Sequence, residues 1–271
     1  AVAEALQSAE ASYAEAVRQH VTFERDGFVI LRSALSEELV GSARQSFEFV
    51  IWNPDRQHRP SCLVEITRSG VFTTNISLEL KATSARVRRR SYRILGMETG
   101  PEEPKAGPWN KIFYHPRILE VVTRLLGGRP SLVQSLVFEH GSEQTLHDDT
   151  WYLPGVDRPG GMVGVWVALE DTDWDNGPLF YVPGSHKRPE RILNPKGETR
   201  GQRVRFPRGA QMPQDIQHGV VQEAREDMQR AGLQQQIFLA HAGDVGIWHE
   251  HLLHGGIAIR NRGRTRLSLV I

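Results

Sequence analysis

Residues 131–169 read SLVQSLVFEHGSEQTLHDDTWYLPGVDRPGGMVGVWVAL. Three strand-like runs lie within this stretch: Ser131–Glu139, Gln144–Asp149 and Met162–Leu169. The runs are short and carry Val, Leu, Phe, Thr and Trp, and Gly, Pro and Asp-rich turns separate them. The same pattern continues downstream in Leu179–Val182, ended by Pro183-Gly184, then in Ile237–Leu239, Val245–Trp248 and Leu267–Ile271. Upstream the periodicity is helical. Residues 2–19 are good helix formers without a breaker. A short apolar strand, Phe28–Leu31, follows the Asp26-Gly27 turn. Ser36 caps a second helix that runs to about Phe49, with Glu37 and Glu38 in its first turn. Pro116 opens a third, with Ile118, Val121, Val122 and Leu125 at helical spacing and Gly127-Gly128 as its stop. Strands separated by turns, with helices gathered at the N-terminal end, predict an α+β fold with an antiparallel core.

No repeat or linker divides the chain, so residues 1–271 are expected to form a single domain. Residues 186–236 interrupt the strand pattern with Arg188, Arg191, Arg200, Arg203, Arg205 and Arg208, several prolines and a short helix expected around 220–231. A loop this long in a compact domain is usually functional or disordered. It reads as a lid over the site, with a decorative insertion as the alternative.

The 33 basic and 32 acidic residues leave a net charge of +1. A local basic run holds Arg86, Arg88, Arg89, Arg90 and Arg93. With no aromatic stacking motif beside it and a net charge near zero, it does not read as a nucleic-acid surface. Its plain reading is a solvated face; the sharper one places an arginine such as Arg88 against an anionic group on a small-molecule substrate. Cys62 is the single cysteine, which excludes an internal disulfide and a Cys-rich zinc site. No apolar run is long enough to span a bilayer, and the Ala- and Glu-rich N-terminus lacks the apolar core of a signal peptide. A cytoplasmic protein without membrane contact is the expectation.

His147 and Asp149 stand two residues apart. On an extended strand that spacing puts both side chains on one face, where they can grip one cation. Two histidines and one carboxylate on one side of a metal, with the other positions open, form the facial triad of non-haem Fe(II) oxygenases. Candidates for the third ligand are His140, His186, His218, His241, His249, His251 and His254. His254 stands out, because it follows the strand Val245–Trp248 and precedes Gly255-Gly256, whose missing side chains leave room near a metal. Further on, Arg266 and Ser268 alternate onto one face of the final strand. An Arg fork binds a carboxylate bidentately and a hydroxyl adds a hydrogen bond, which suits the distal carboxylate of 2-oxoglutarate. Arg264 is the alternative anchor.

These residues belong to a distributed pattern: His147-Asp-Asp149, Trp166-Val-Ala-Leu-Glu-Asp171, Asp175-Asn-Gly-Pro-Leu179, Val182-Pro-Gly-Ser-His186, Gly243-Asp-Val245, Leu253-His254-Gly-Gly256 and Arg266. The pattern resembles the phytanoyl-CoA dioxygenase family of Fe(II)/2-oxoglutarate oxygenases over residues 20–271. The resemblance implies a double-stranded β-helix, or jelly-roll, core of the cupin type with flanking helices. It implies His147, Asp149 and His254 as iron ligands, Arg266 as the 2-oxoglutarate anchor, and Trp166 near that co-substrate. Gln134 and Thr145 lie on strands expected to face the pocket, and Trp151 and Tyr152 follow the metal motif as substrate-wall candidates.

The expected activity is hydroxylation of an unactivated C–H bond by Fe(II), 2-oxoglutarate and O2, with release of succinate and CO2. A non-catalytic jelly-roll that binds metal or a small molecule is the alternative. A zinc hydrolase would leave Arg266 and Ser268 unexplained.

Overall fold

The computed structural model describes residues 2–48, 63–68, 71–77, 91–95, 107–151, 160–187 and 214–271. Cys62, Arg88, Tyr152 and residues 188–213 of the expected lid lie outside the described residues. Five described helices are α1 (Val2–Asp26), α2 (Glu37–Phe47), α3 (Pro108–Phe113), α4 (Pro116–Leu126) and α5 (Gln214–Arg230). The strands are β1 (Phe28–Leu31), β2 (Leu63–Arg68), β3 (Val71–Ser77), β4 (Ser91–Leu95), β5 (Leu136–Phe138), β6 (Val163–Ala168), β7 (Leu179–Tyr181), β8 (Gln236–Phe238), β9 (Val245–His249), β10 (His254–Gly256) and β11 (Ser268–Val270). They form an eight-stranded sheet in the order β1-β9-β6-β11-β5-β4-β2-β3 and a three-stranded sheet in the order β10-β7-β8. Every described pairing is antiparallel. The fold is therefore α+β with antiparallel sheets.

Side-chain alternation sorts the core into layers. On one face of the large sheet Val29, Leu31, Val137, Val165, Val167, Val245, Ile247 and Leu269 pack under helices α2 to α4, which contribute Val40, Ala43, Phe47, Ile112, Ile118 and Val121. The Trp109 indole donates to Ser46 Oγ at 3.0 Å and ties α3 to α2. On the opposite face Phe28, Trp166, Ala168 and Trp248 meet Leu179 and Phe238 of the small sheet, so the two sheets pack face to face. The outer face of the small sheet is covered in turn by α5. Val221 and Ala224 pack there with Leu146, Phe180, Val182 and Leu253.

The helix ends follow local chemistry. Ser36 Oγ accepts from Leu39 N–H at 3.2 Å and caps α2. Pro116 occupies the first turn of α4, and Gly127 ends it in the left-handed region. Gly27 has φ +73°, and a Cβ there would lie 2.4 Å from His186 Nδ1, so the junction of α1 and β1 requires glycine.

Several expected boundaries are corrected. The helix expected over residues 2–19 continues to Asp26, and the one expected at 220–231 begins at Gln214. Ser131–Glu139 is strand only over Leu136–Phe138, where β4 and β11 supply partners. Gln144–Asp149 is not a continuous strand. It holds one isolated bridge at His147, and a 3-10 turn begins at Asp149. The cause is Asp148, whose buried carboxylate accepts the Thr150 N–H at 3.1 Å and the Thr150 hydroxyl, turning the chain locally. Among the described residues no helix is long and apolar enough to cross a membrane.

Asp244 fastens the start of β9 to the end of β1. Its carboxylate accepts Ser33 N–H at 2.8 Å, His241 N–H at 3.0 Å and the Arg32 guanidinium at 2.6 Å. Burial alone would raise its pKa, but these donors outweigh burial and hold it below the ordinary 3.8. Asp244→Asn is expected to lower unfolding free energy at neutral pH by about 1–3 kcal/mol, because it removes the charge and one acceptor of a buried side chain that Ser33 N–H, His241 N–H and Arg32 share. A depressed folded pKa stabilises above the unfolded value, so the deficit should shrink as pH falls below 3.8. Urea melts of both proteins at pH 7 and pH 3 measure this.

Candidate metal centre

His147 and His254 are cross-strand partners. His147 N–H donates to His254 O at 3.0 Å, and His254 N–H donates to His147 O at 2.9 Å. His147 thus extends the small sheet beyond β10, and the two rings lie 4.2 Å apart between centroids. On its other side His254 pairs with Tyr181, which faces the space between the sheets. Asp149 reaches the same space from the 3-10 turn, where its N–H is held by Glu250 O at 3.1 Å. One ligand atom from each of His147, Asp149 and His254 falls within 4.8 Å of the others. Asp149 Oδ1 is 3.6 Å from His254 Nε2.

The tautomers suit a metal. His147 Nδ1 lies 2.7 Å from Thr145 O, and His254 Nδ1 lies 2.9 Å from Leu252 O. A ring nitrogen so close to a carbonyl must donate, so Nδ1 carries the proton and Nε2 presents its lone pair. The other carboxylate oxygen, Asp149 Oδ2, accepts the Trp248 indole N–H at 2.7 Å. Two imidazoles and one carboxylate form a donor set that fits a divalent transition metal with open coordination positions.

Arg266 enters from the inner face of the large sheet and is only 2% exposed. Its guanidinium lies 5.5 Å over the Trp166 ring, donates to Gly177 O at 2.8 Å and donates to Ser268 Oγ at 3.3 Å. The Asp175–Leu179 turn exists in this form because Asn176 is buried. Its side chain donates to Asp171 O and Thr265 O, and Gly177, at φ +78°, then directs its carbonyl at Arg266. Arg264, the alternative anchor, lies instead on the surface, paired with Asp173 at 2.6 Å and 41% exposed.

The remaining expected residues scatter. Trp166 and Ser268 are buried beside Arg266. Thr145 is exposed and takes part through its carbonyl, while Gln134 is half-buried outside any strand. Trp151 packs with the cluster under α5, on the far side of β7 from Leu179 and Tyr181. Arg93, on β4, stands in register with Glu65. Gly255 and Gly256 make no room for a metal. A Cβ at Gly255 would meet Gln144 O at 2.6 Å and the Phe180 ring at 2.7 Å, and one at Gly256 would meet Ser142 Oγ at 2.6 Å. They let residues 142–147 approach β10. Trp248 was not singled out from the sequence; its parity with Gly246, opposite to Ile247, was the available signal.

The model for the phytanoyl-CoA dioxygenase (PhyH) family matches residues 23–267. The chain belongs to the phytanoyl-CoA dioxygenase family. Among relatives, a peroxisomal phytanoyl-CoA dioxygenase of Rattus norvegicus is 24% identical over 254 residues, covering 91% of this chain and 65% of the relative. A phytanoyl-CoA dioxygenase domain-containing protein 1 homolog of Caenorhabditis elegans is 25% identical over 190 residues, or 61% of this chain and 63% of the relative. The chain thus spans less than two-thirds of either relative's length. Among solved structures, the non-heme alpha ketoglutarate dependent carbocyclase SnoK superposes with a TM-score of 0.62 at 19% identity, covering 93% of this chain and 81% of its own. EctD from S. alaskensis with 2-oxoglutarate and 5-hydroxyectoine gives 0.57 at 19% identity, covering 93% and 73%. At these identities the likeness is one of fold.

His186, His249 and His251 form a second imidazole cluster, with ring centroids 5.2 Å and 5.5 Å apart in turn. Burial, followed by the neighbouring His186 and His251, lowers the His249 pKa from 6.5 to about 4. His249 is therefore neutral in the folded protein, while the unfolded chain takes up a proton below pH 6.5. Stability should fall as pH drops from 6.5 towards 4, and His249→Gln should flatten that part of the profile. Chemical denaturation midpoints across this range test it; an unchanged slope in the variant contradicts it.

Proposed function

We propose that this family member is an Fe(II)- and 2-oxoglutarate-dependent dioxygenase that hydroxylates an unactivated C–H bond of a small molecule. One observation carries the reading: the ligand atoms of His147, Asp149 and His254 converge between the sheets, and the buried Arg266 guanidinium enters from the inner face of the same large sheet. We further infer that the two face-to-face sheets are those of a double-stranded β-helix, as the resemblance implied.

In this reading His147 Nε2, His254 Nε2 and one Asp149 oxygen would hold iron, a donor set that leaves coordination positions open. Arg266 and Ser268 bind the distal carboxylate of 2-oxoglutarate, and Trp166 walls that end. Iron with 2-oxoglutarate supplies the oxidation of C–H by O2, with succinate and CO2 as co-products. The protein's part is orientation and dryness. Phe28, Trp248, Leu179 and Phe238 close the inter-sheet space to water. Both histidines donate from Nδ1 to a backbone carbonyl, which leaves Nε2 as the nitrogen that would face a metal. EctD bound to 5-hydroxyectoine supports a small-molecule substrate for this fold.

Anaerobic addition of Fe(II) and 2-oxoglutarate should produce a weak visible charge-transfer band. His254→Ala should abolish the band. Arg266→Ala should retain metal but weaken 2-oxoglutarate on the order of 10- to 100-fold, the value of a charge-assisted bidentate pair. A band in wild type that His254→Ala leaves undiminished contradicts the assignment. Metal binding without substrate-stimulated succinate formation across a metabolite screen supports the non-catalytic alternative.

A further inference from the structure

We propose that Trp248 is a positioning residue for the metal centre, holding Asp149 in a one-oxygen binding mode through its indole N–H. The proposal rests on the metal-centre reading above and adds a residue outside the ligand set.

Asp149 lies on a short turn, and its side chain is 21% exposed. Local backbone alone would leave the carboxylate two choices: presenting both oxygens to a cation or turning one aside. The Trp248 N–H removes that choice by donating to Oδ2 at 2.7 Å. Oδ1 is then the oxygen that faces His254, 3.6 Å from its Nε2. A carboxylate tied at one oxygen contributes a single ligand atom and keeps a coordination position open for a co-substrate. The indole ring also lies 4.7 Å from the His254 ring, so one side chain touches two of the three ligands.

The placement is built into the sheet. Trp248 on β9 is the register partner of Gly164 on β6. A Cβ at Gly164 would lie 2.3 Å from indole Cε2 and 2.5 Å from Nε1. The indole therefore fills the space that a side chain at 164 would occupy, and this lean carries its N–H to Asp149. Phe28 lies parallel to the indole, 5° from coplanar at 6.5 Å, and flanks the ring. An aromatic ring that served only to fill the core would need neither the missing side chain opposite nor a donor aimed at a carboxylate. Orienting partners of this kind contribute about 10- to 100-fold to metal affinity.

Calorimetric titration with Co2+ of wild type, Trp248→Phe, Gly164→Ala, the double variant and His254→Ala tests the proposal. Phenylalanine keeps the ring and loses the donor; alanine at 164 keeps the donor and displaces it. Each single variant should bind Co2+ about 10-fold more weakly, and the double variant should be no weaker than Trp248→Phe. The Co2+ visible spectrum should also change in both single variants, because the carboxylate mode changes. Wild-type affinity and spectrum in both folded single variants overturn the role of Trp248 while the metal centre stands. Undiminished Co2+ binding by His254→Ala overturns the metal centre, and this proposal with it.

Discussion

The backbone pair between His147 and His254 is the constraint from which the site follows. Two chain segments far apart in sequence become adjacent strands there, and cross-strand partners carry their side chains to the same face. A single hydrogen bond of this kind contributes only about 1 kcal/mol net. The pair persists because its surroundings exclude alternatives. Glycines at 255 and 256 let the incoming strand lie against β10. Leu146 and Leu253, each immediately before a histidine, are buried in the cluster under α5. Slipping the segment around His147 by one residue against β10 would turn Leu146 inward and His147 outward.

The same alternation organises the large sheet. Odd positions of β11 face the helices and even ones face the small sheet, so Leu267 and Leu269 join the helix-covered core while Arg266 and Ser268 turn inward. A buried guanidinium is costly unless its donors are matched. Here Gly177 O, Ser268 Oγ and the face of Trp166 surround it. The Asn176 turn, distant from His147 and His254 in sequence, is therefore part of the same construction.

Much of this was legible in the residues. Short apolar runs bounded by turn residues located many of the described strands, and Ser36, Pro116 and Gly127 marked helix ends for reasons that hold locally. His147, Asp149 and His254 could be picked out by type and spacing, and family resemblance narrowed the choice among seven histidines. Strand parity does not describe Asp149. Asp149 reaches its place from a 3-10 turn made by Asp148 and Thr150, a competition between side chain and ladder that spacing alone does not show. The roles of Gly255 and Gly256 were likewise inverted, since steric room belongs to the neighbour that fills it, and that neighbour is distant in sequence. Trp248 escaped notice because its meaning depends on Gly164, a partner defined only once β6 and β9 pair.

The central claim is that one metal ion sits between the sheets on His147, Asp149 and His254. The most direct measurement is anomalous diffraction from crystals grown anaerobically with Mn2+ and 2-oxoglutarate. The account predicts a single strong peak bonded to both Nε2 atoms and one Asp149 oxygen, with 2-oxoglutarate reaching from it to Arg266. A peak among His186, His249 and His251, or none between the sheets, would contradict it.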